Sequence, residues 1–99
     1  MKSLAEYRTE IDTIDTEIVR LLEKRMEVST EIAAYKKQAG RPVLDAAREE
    51  EKLAAVSGLA HGEWNQAAVR ELYVHIMALS RKKQESMLMT ADSGEKRKA

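Results

Sequence analysis

The sequence of 99 residues contains no cysteine, and this absence excludes several kinds of site. Disulfides, cysteine-ligated zinc, iron–sulfur clusters and a thiol nucleophile all require that residue. The two histidines, His61 and His75, lie 14 positions apart and cannot supply a helical HExxH zinc motif. Glycine and proline are scarce as well, at 4 and 1 residues. Because an all-β fold needs a turn about every 8–12 residues, most such folds are excluded.

The chain also lacks a surplus of either charge and any long apolar run. Its 17 basic and 17 acidic residues give a formal net charge of +0, whereas general nucleic-acid and anionic-membrane binders need a positive surplus. No apolar stretch approaches the roughly 18 residues of a membrane span. Residues 1–6 contain no apolar signal core, so we expect a cytoplasmic protein.

The sequence does contain enough apolar material for one folded domain. Hydrophobic residues make up 43% of the chain, so its body should not be disordered. The length allows one domain at most. We expect this domain to span residues 1–89 and to be followed by a polar, disordered tail over residues 90–99.

The first helix is predicted to be long. Apolar residues recur at alternating steps of three and four between residues 4 and 38, with no glycine or proline among them. Gly40 suits the position after a helix end, and Pro42 blocks continuation of the helix. Such a helix is a rod of roughly 50 Å, whereas a compact chain of this length has a radius of gyration of about 13 Å. Two short helices cannot bury its apolar seam, so we expect a twofold homodimer.

Two shorter helices are predicted to follow the long one. Asp45 can cap the second helix by accepting a bond from a free backbone N–H, and this helix should end near residues 58–62. The third helix should begin near residues 63–66 and carry apolar residues to about residue 88. The predicted fold class is therefore all-α, with one long and two shorter helices per chain in an intertwined antiparallel homodimer.

Cations interrupt the apolar seam of the first helix. Arg25 lies on the seam, and Lys36 returns to nearly the same face 11 residues later, about 16 Å along the axis. Taken alone, Arg25 is more simply a side chain that extends to solvent or pairs with a nearby glutamate. Together, the two cations could hold one small polyanion. Arg8 is about 25 Å from Arg25 along the helix, so it could join them only from the partner chain of an antiparallel dimer.

The other two helices add polar side chains that could complete a pocket. Arg48 and Glu49, in the first turn after Asp45, could bind a carboxylate and a hydroxyl. Asp45 is more simply an ordinary helix cap followed by acidic residues, and this role does not exclude ligand contact by the other two. Ser80 and Gln84 lie one turn apart on an apolar stripe of the third helix, where tolerated polar residues are the alternative. The combined set predicts a pocket for a small dianion that carries a hydroxyl group. No nucleophile stands out, so chemistry would depend on positioning and electrostatics.

Five stretches of the sequence resemble one family when their spacing is considered together. They are YRTEID at residues 7–12, LLEKRM at 21–26, AYK at 34–36, PVLDAARE at 42–49 and IMALSRKKQ at 76–84. These stretches resemble the all-helical chorismate mutase family over about residues 4–84. The resemblance implies a three-helix chain that forms an intertwined homodimer with two active sites. It also implies conversion of chorismate to prephenate, toward phenylalanine and tyrosine, without a cofactor or a covalent intermediate.

The resemblance assigns the two substrate carboxylates to four side chains. Arg25 and Arg8 of the partner subunit would hold the carboxylates. Arg48 and Ser80 would complete that end of the site. A grip on both carboxylates favours the folded substrate conformation in which the new carbon–carbon bond can form.

The resemblance assigns the reacting end of the substrate to four further residues. Lys36 and Gln84 would donate hydrogen bonds to the ether oxygen whose bond to the ring breaks. Glu49, with Asp45 nearby, would bind the ring hydroxyl. Negative charge builds on the ether oxygen as its bond stretches, so an ammonium and an amide N–H stabilise the transition state more than the substrate.

Two other functions remain as alternatives at this point. One is an isochorismate–pyruvate lyase of the same fold, although residues 43–49 look like the mutase type. The other is a non-catalytic helical dimer that acts as a regulatory or adaptor module, and the cations in the apolar seam count against it. Nothing in the sequence supports docking onto another enzyme of the pathway.

Overall fold

The computed structural model describes residues 1–98, with side chains described through residue 88. It contains three helices, α1 (Leu4–Ala39), α2 (Ala46–Leu59) and α3 (Glu63–Lys98), and residues 1–98 contain no strand. The predicted all-α class with three helices is therefore confirmed. None of the helices, over the residues described, is long and apolar enough to cross a membrane.

Local signals at the helix ends explain where α1 and α2 begin and where α1 ends. Ser3 and Glu6 form a capping box at the start of α1, in which each side chain accepts a hydrogen bond from the backbone N–H of the other residue. Gly40 follows α1 in the left-handed conformation, at φ 68°, which a glycine adopts without strain. The Asp45 carboxylate accepts a hydrogen bond from the backbone N–H of Arg48 at 3.1 Å. The predicted end of α1 and the predicted cap of α2 are thus confirmed.

The third helix is longer than the sequence pattern predicted. At 36 residues α3 equals α1 in length, so the expectation of two shorter helices is wrong for α3. The apolar pattern predicts an end near residue 88, where the sequence turns polar, but polar residues do not by themselves end a helix. Proline, the strongest helix breaker, does not occur after residue 42, and the single glycine after residue 62 is Gly94, so the sequence contains no strong stop signal near residue 88. The side chains of residues 89–99 lie outside the described part, and the disordered tail over residues 90–99 stays a prediction.

The chain is elongated and its internal core is small. Its dimensions are 65 × 30 × 15 Å and its radius of gyration is 17.9 Å, against about 13 Å for a compact chain of this length. Helix α3 packs against both α1 and α2. The buried apolar side chains of the described residues are Ala33, Leu53, Val56 and Met77. This packing leaves most of the apolar seam of α1 uncovered.

Candidate active site

The three helices and the connector before α2 line a half-open cavity of about 370 Å³. Most of the residues that line it are polar or charged, although most of the surface that they present to the cavity is apolar. The lining side chains come from α1 (Arg25, Val28, Ser29, Ile32, Lys36), from the connector and α2 (Val43, Asp45, Arg48, Glu49, Lys52) and from α3 (Met77, Ser80, Arg81, Gln84).

The Arg25 guanidinium spans the cavity from α1 to α3. One of its terminal nitrogens donates a hydrogen bond to Ser80 Oγ at 2.6 Å, and its central carbon lies 5.7 Å from the centroid of the Tyr73 ring. The expected alternatives were extension into solvent or pairing with a nearby glutamate. Instead, its partners in the described part of the chain are a neutral hydroxyl and a ring, which leave its positive charge uncompensated.

The connector between α1 and α2 positions the Lys36 ammonium. Lys36 Nζ donates a hydrogen bond to the backbone carbonyl oxygen of Val43 at 2.7 Å. Val43 follows Pro42, whose ring fixes φ and prevents the chain from continuing α1. An ammonium has three donors, so this bond anchors the group and leaves donors for a ligand in the cavity.

Gln84 and Ser29 form a buried polar pair between α3 and α1. Both side chains are almost fully buried, and Gln84 Nε2 donates to Ser29 Oγ at 2.9 Å. Gln84 Oε1 is buried and has no hydrogen-bond partner among the described residues. The two ends of an amide are assigned from their partners, so the opposite orientation would let the Ser29 hydroxyl donate to Oε1 and would free the NH₂ group. In either orientation at least one N–H of the amide stays available for a ligand, because the NH₂ group has two donors.

The first turn of α2 contributes both carboxylates of the cavity. Asp45 caps the helix through one oxygen. Glu49 forms an ion pair with Arg81 of α3, and both of its oxygens contact the same guanidinium nitrogen. Arg48 is largely exposed and lies 3.8 Å from Glu51, one turn further along α2.

The charges in the cavity suit a small polyanion. The lining residues include five cations and two carboxylates. One carboxylate is occupied as a helix cap and the other is paired with Arg81, so most of the cationic side chains have no carboxylate partner inside the cavity. No group of histidine, aspartate and glutamate side chains in the part that the structure describes is arranged to hold a metal ion.

Seven of the eight site residues predicted from the sequence line this one cavity. The exception is Arg8, an exposed residue near the start of α1, about 25 Å along the helix axis from Arg25. The sequence analysis missed Ser29, Lys52 and Arg81. Helical spacing could have indicated Ser29, which lies four residues after Arg25 on the same face. The positions of Lys52 and Arg81 depend on how α2 packs against α3.

The fold and the cavity together define a small all-helical protein with a cavity whose charged residues are mostly cationic. A family model described as chorismate mutase type II matches residues 7–85, which is most of the chain. The chain therefore belongs to the chorismate mutase type II family.

Individual relatives and a solved structure agree with this assignment. A bifunctional chorismate mutase/prephenate dehydratase from Aquifex aeolicus is 36% identical over 76 residues, covering 77% of this chain and 21% of that protein. A chorismate mutase from Methanocaldococcus jannaschii is 39% identical over 49 residues, or 50% of each chain. The solved structure of chorismate mutase (form II) from Thermus thermophilus matches with a TM-score of 0.80 and 31% identity, covering 85% of this chain and 96% of that one. The chain thus spans about a fifth of the Aquifex protein and half of the Methanocaldococcus protein.

Proposed function

We propose that the protein catalyses the rearrangement of chorismate to prephenate. The observation that carries this proposal is the cavity, in which a surplus of cations lies beside the buried amide of Gln84. Chorismate has two carboxylates, a ring hydroxyl and an ether oxygen, and the cavity offers a partner for each of them. Its volume of about 370 Å³ lies within the usual range for small-molecule sites.

In this proposal, arginines bind the carboxylates and restrict the substrate's conformation. Arg25 is held by Ser80 with its charge uncompensated, so it can accept one carboxylate in a bidentate pair. Arg48, at the start of α2 and free to reorient, supports that end together with the N-terminus of the helix. A folded, fixed substrate brings the two carbons that form the new bond within reacting distance.

Lys36 and Gln84 are the proposed catalytic residues. The carbon–oxygen bond of the ether breaks as the new carbon–carbon bond forms, and negative charge builds on the ether oxygen. Lys36 is anchored by Val43 and keeps two further N–H donors. Gln84 donates one N–H to Ser29, and its second N–H is the donor assigned to the ether oxygen, so both groups are already held before the reaction. Glu49 accepts a hydrogen bond from the ring hydroxyl. No covalent intermediate is needed, because the reaction only redistributes bonds within the substrate.

We also propose that the active unit is an intertwined antiparallel homodimer. A row of apolar side chains on α1 is 44–56% exposed in the single chain, at Tyr7, Ile11, Ile14, Ile18 and Leu21. A second copy packed along this row would bury it. In the antiparallel arrangement, Arg8 of the partner subunit would reach the cavity and hold the second carboxylate. The cytoplasmic location expected from the sequence stays a prediction.

The direct test of the activity is to mix the purified protein with chorismate. We expect chorismate's ultraviolet absorbance to fall and prephenate to appear. Lys36→Ala should lower kcat by about 10²–10³-fold, the loss expected for one donor to a developing oxyanion. Lys24→Ala is the matched control, because Lys24 is exposed on the same helix and does not line the cavity. A wild-type rate equal to the rate in buffer alone would contradict the proposal.

Light scattering tests the dimer. We expect a molar mass twice the 11.2 kDa of the chain. A folded and active species with the mass of one chain would refute the dimer and the role of Arg8 with it.

A further inference from the structure

The ion pair between Glu49 and Arg81 joins α2 to α3 at the wall of the cavity. One guanidinium nitrogen of Arg81 lies 2.5 Å from Glu49 Oε2 and also contacts Oε1. The side chains are 25% and 32% exposed, so water screens the pair only partly. The pair differs in this respect from the second ion pair between the same helices, Arg70 with Glu50, which lies at 3.5 Å on the outer surface.

In the proposed function, the ion pair would orient the carboxylate of Glu49. Glu49 is the side chain assigned to the ring hydroxyl. A glutamate has three rotatable side-chain bonds, and they must be held in one conformation if the carboxylate is to accept that hydrogen bond. A carboxylate has about four lone-pair sites, and one donor nitrogen shared between its oxygens leaves others for a ligand. Arg81 can therefore orient the carboxylate without saturating it. Arg81 also follows Ser80 directly, so it is carried by the same turn of α3 that holds Arg25.

We propose that Arg81 is a positioning residue that holds the Glu49 carboxylate in place to accept the hydrogen bond of the substrate's ring hydroxyl. This inference rests on the proposed function. Arg81 acts through Glu49 and has no contact with the reacting atoms. The competing role is direct binding of a substrate carboxylate by Arg81, which lines the same cavity. The two roles predict different responses to a substrate that keeps both carboxylates but lacks the ring hydroxyl.

The experiment compares Arg81→Met with wild type on two substrates, chorismate and an analogue that carries hydrogen in place of the ring hydroxyl. On chorismate we expect kcat/KM to fall by about ten- to a hundredfold, the range for loss of one charge-assisted hydrogen bond. On the analogue we expect the two proteins to agree within about twofold, because no hydroxyl is present for Glu49 to bind. Arg81→Lys should recover part of the loss on chorismate, since it restores the charge without the planar fork.

Two controls separate positioning from a structural effect. Arg70→Met removes the outer ion pair between α2 and α3 and should leave kcat/KM unchanged on both substrates. In a Glu49→Gln background, Arg81→Met should cost much less than in the wild type, because the two side chains act as one unit. Circular dichroism melting of each variant verifies that it is folded at the assay temperature.

The outcomes distinguish this inference from the proposed function. Equal losses on both substrates, or an undiminished loss in the Glu49→Gln background, would overturn the positioning role and assign Arg81 to a substrate carboxylate. An unchanged kcat/KM in Arg81→Met would overturn any role for Arg81 in an active enzyme. A wild-type protein with no activity on chorismate would overturn the proposed function itself and the assignment of Glu49 with it.

Discussion

Replacing Gln84 with glutamate turns a proposed donor that does not titrate into one that does. The amide of Gln84 donates at every pH, because an amide has no titration in the accessible range. A glutamate at this position can donate to the ether oxygen only while it is protonated. Once ionised, it places negative charge beside the oxygen on which negative charge is building. We therefore expect Gln84→Glu to be active in acid and to lose activity steadily as the pH rises.

The size of the loss follows from the protonated fraction. An unperturbed glutamate has a pKa of about 4.3, so about one molecule in a thousand is protonated at pH 7.3. Gln84 is 6% exposed, and burial would raise the pKa of the new carboxyl. Arg25 and Lys36, which line the same cavity, would lower it. These influences move the midpoint, but above the midpoint the activity should still fall by about tenfold per pH unit.

The assay is kcat/KM on chorismate for the variant relative to wild type at each pH. Gln38→Glu is the matched control, since it adds the same charge at an exposed position of α1 and should leave the ratio constant. Burial would raise the pKa of the new carboxyl in the folded state, so the variant would lose stability as the pH rises through that value. Melting curves at each pH must therefore show a folded protein. A flat ratio near one up to pH 8 would refute the donor role of Gln84.

Three further predictions concern the other polar side chains of the site. Ser29→Ala should lower the free energy of unfolding by about 1–3 kcal/mol in urea titrations, because it leaves the buried Gln84 amide without any partner, and an unchanged value would contradict the pairing. Arg8→Ala and Lys36→Ala should each be nearly inactive. Refolding the two variants together should restore part of the activity, because one site of the mixed dimer would take its intact Arg8 from one chain and its intact Lys36 from the other. No recovery in dimers that are proven to be mixed would mean that both residues act within one chain. Arg25→Met should abolish most activity while the melting temperature stays equal or rises, since this half-buried charge has only neutral partners, and a marked fall would identify a structural role.

Features that depend on neighbours along the chain could be predicted from the sequence. The seam of α1, its end at Gly40 and the cap at Asp45 are local patterns, and the structure agrees with each. The faces of the helices could be predicted for the same reason. Ser80 and Gln84 lie on the apolar stripe of α3 because helical periodicity puts them there, and both are buried.

Features that depend on the offset between helices could not be predicted in this way. Gln84 meets Ser29 across 55 residues of sequence, and Arg81 meets Glu49 across 32. Periodicity fixes which face a residue occupies but not which residue stands opposite it on another helix. That choice depends on the sliding and rotation of α3 against α1 and α2. A shift of one turn, about 5.4 Å, would give each of these residues a different partner.

The composition of the buried residues links folding to the proposed site. Seven described residues are buried, and three of them, Ser29, Ser80 and Gln84, are polar residues that line the cavity. A neutral polar pair of this kind contributes about 0.5–1.5 kcal/mol net, whereas burial of a large aliphatic side chain contributes about 1.5–3 kcal/mol. The contact between α1 and α3 within one chain is therefore a weak source of stability. Burial of the exposed apolar row on α1 would be a further source of stability, and contact with a second copy of the chain would bury it. In the proposed dimer, the same association that stabilises the fold would also bring Arg8 to the cavity and so complete the site.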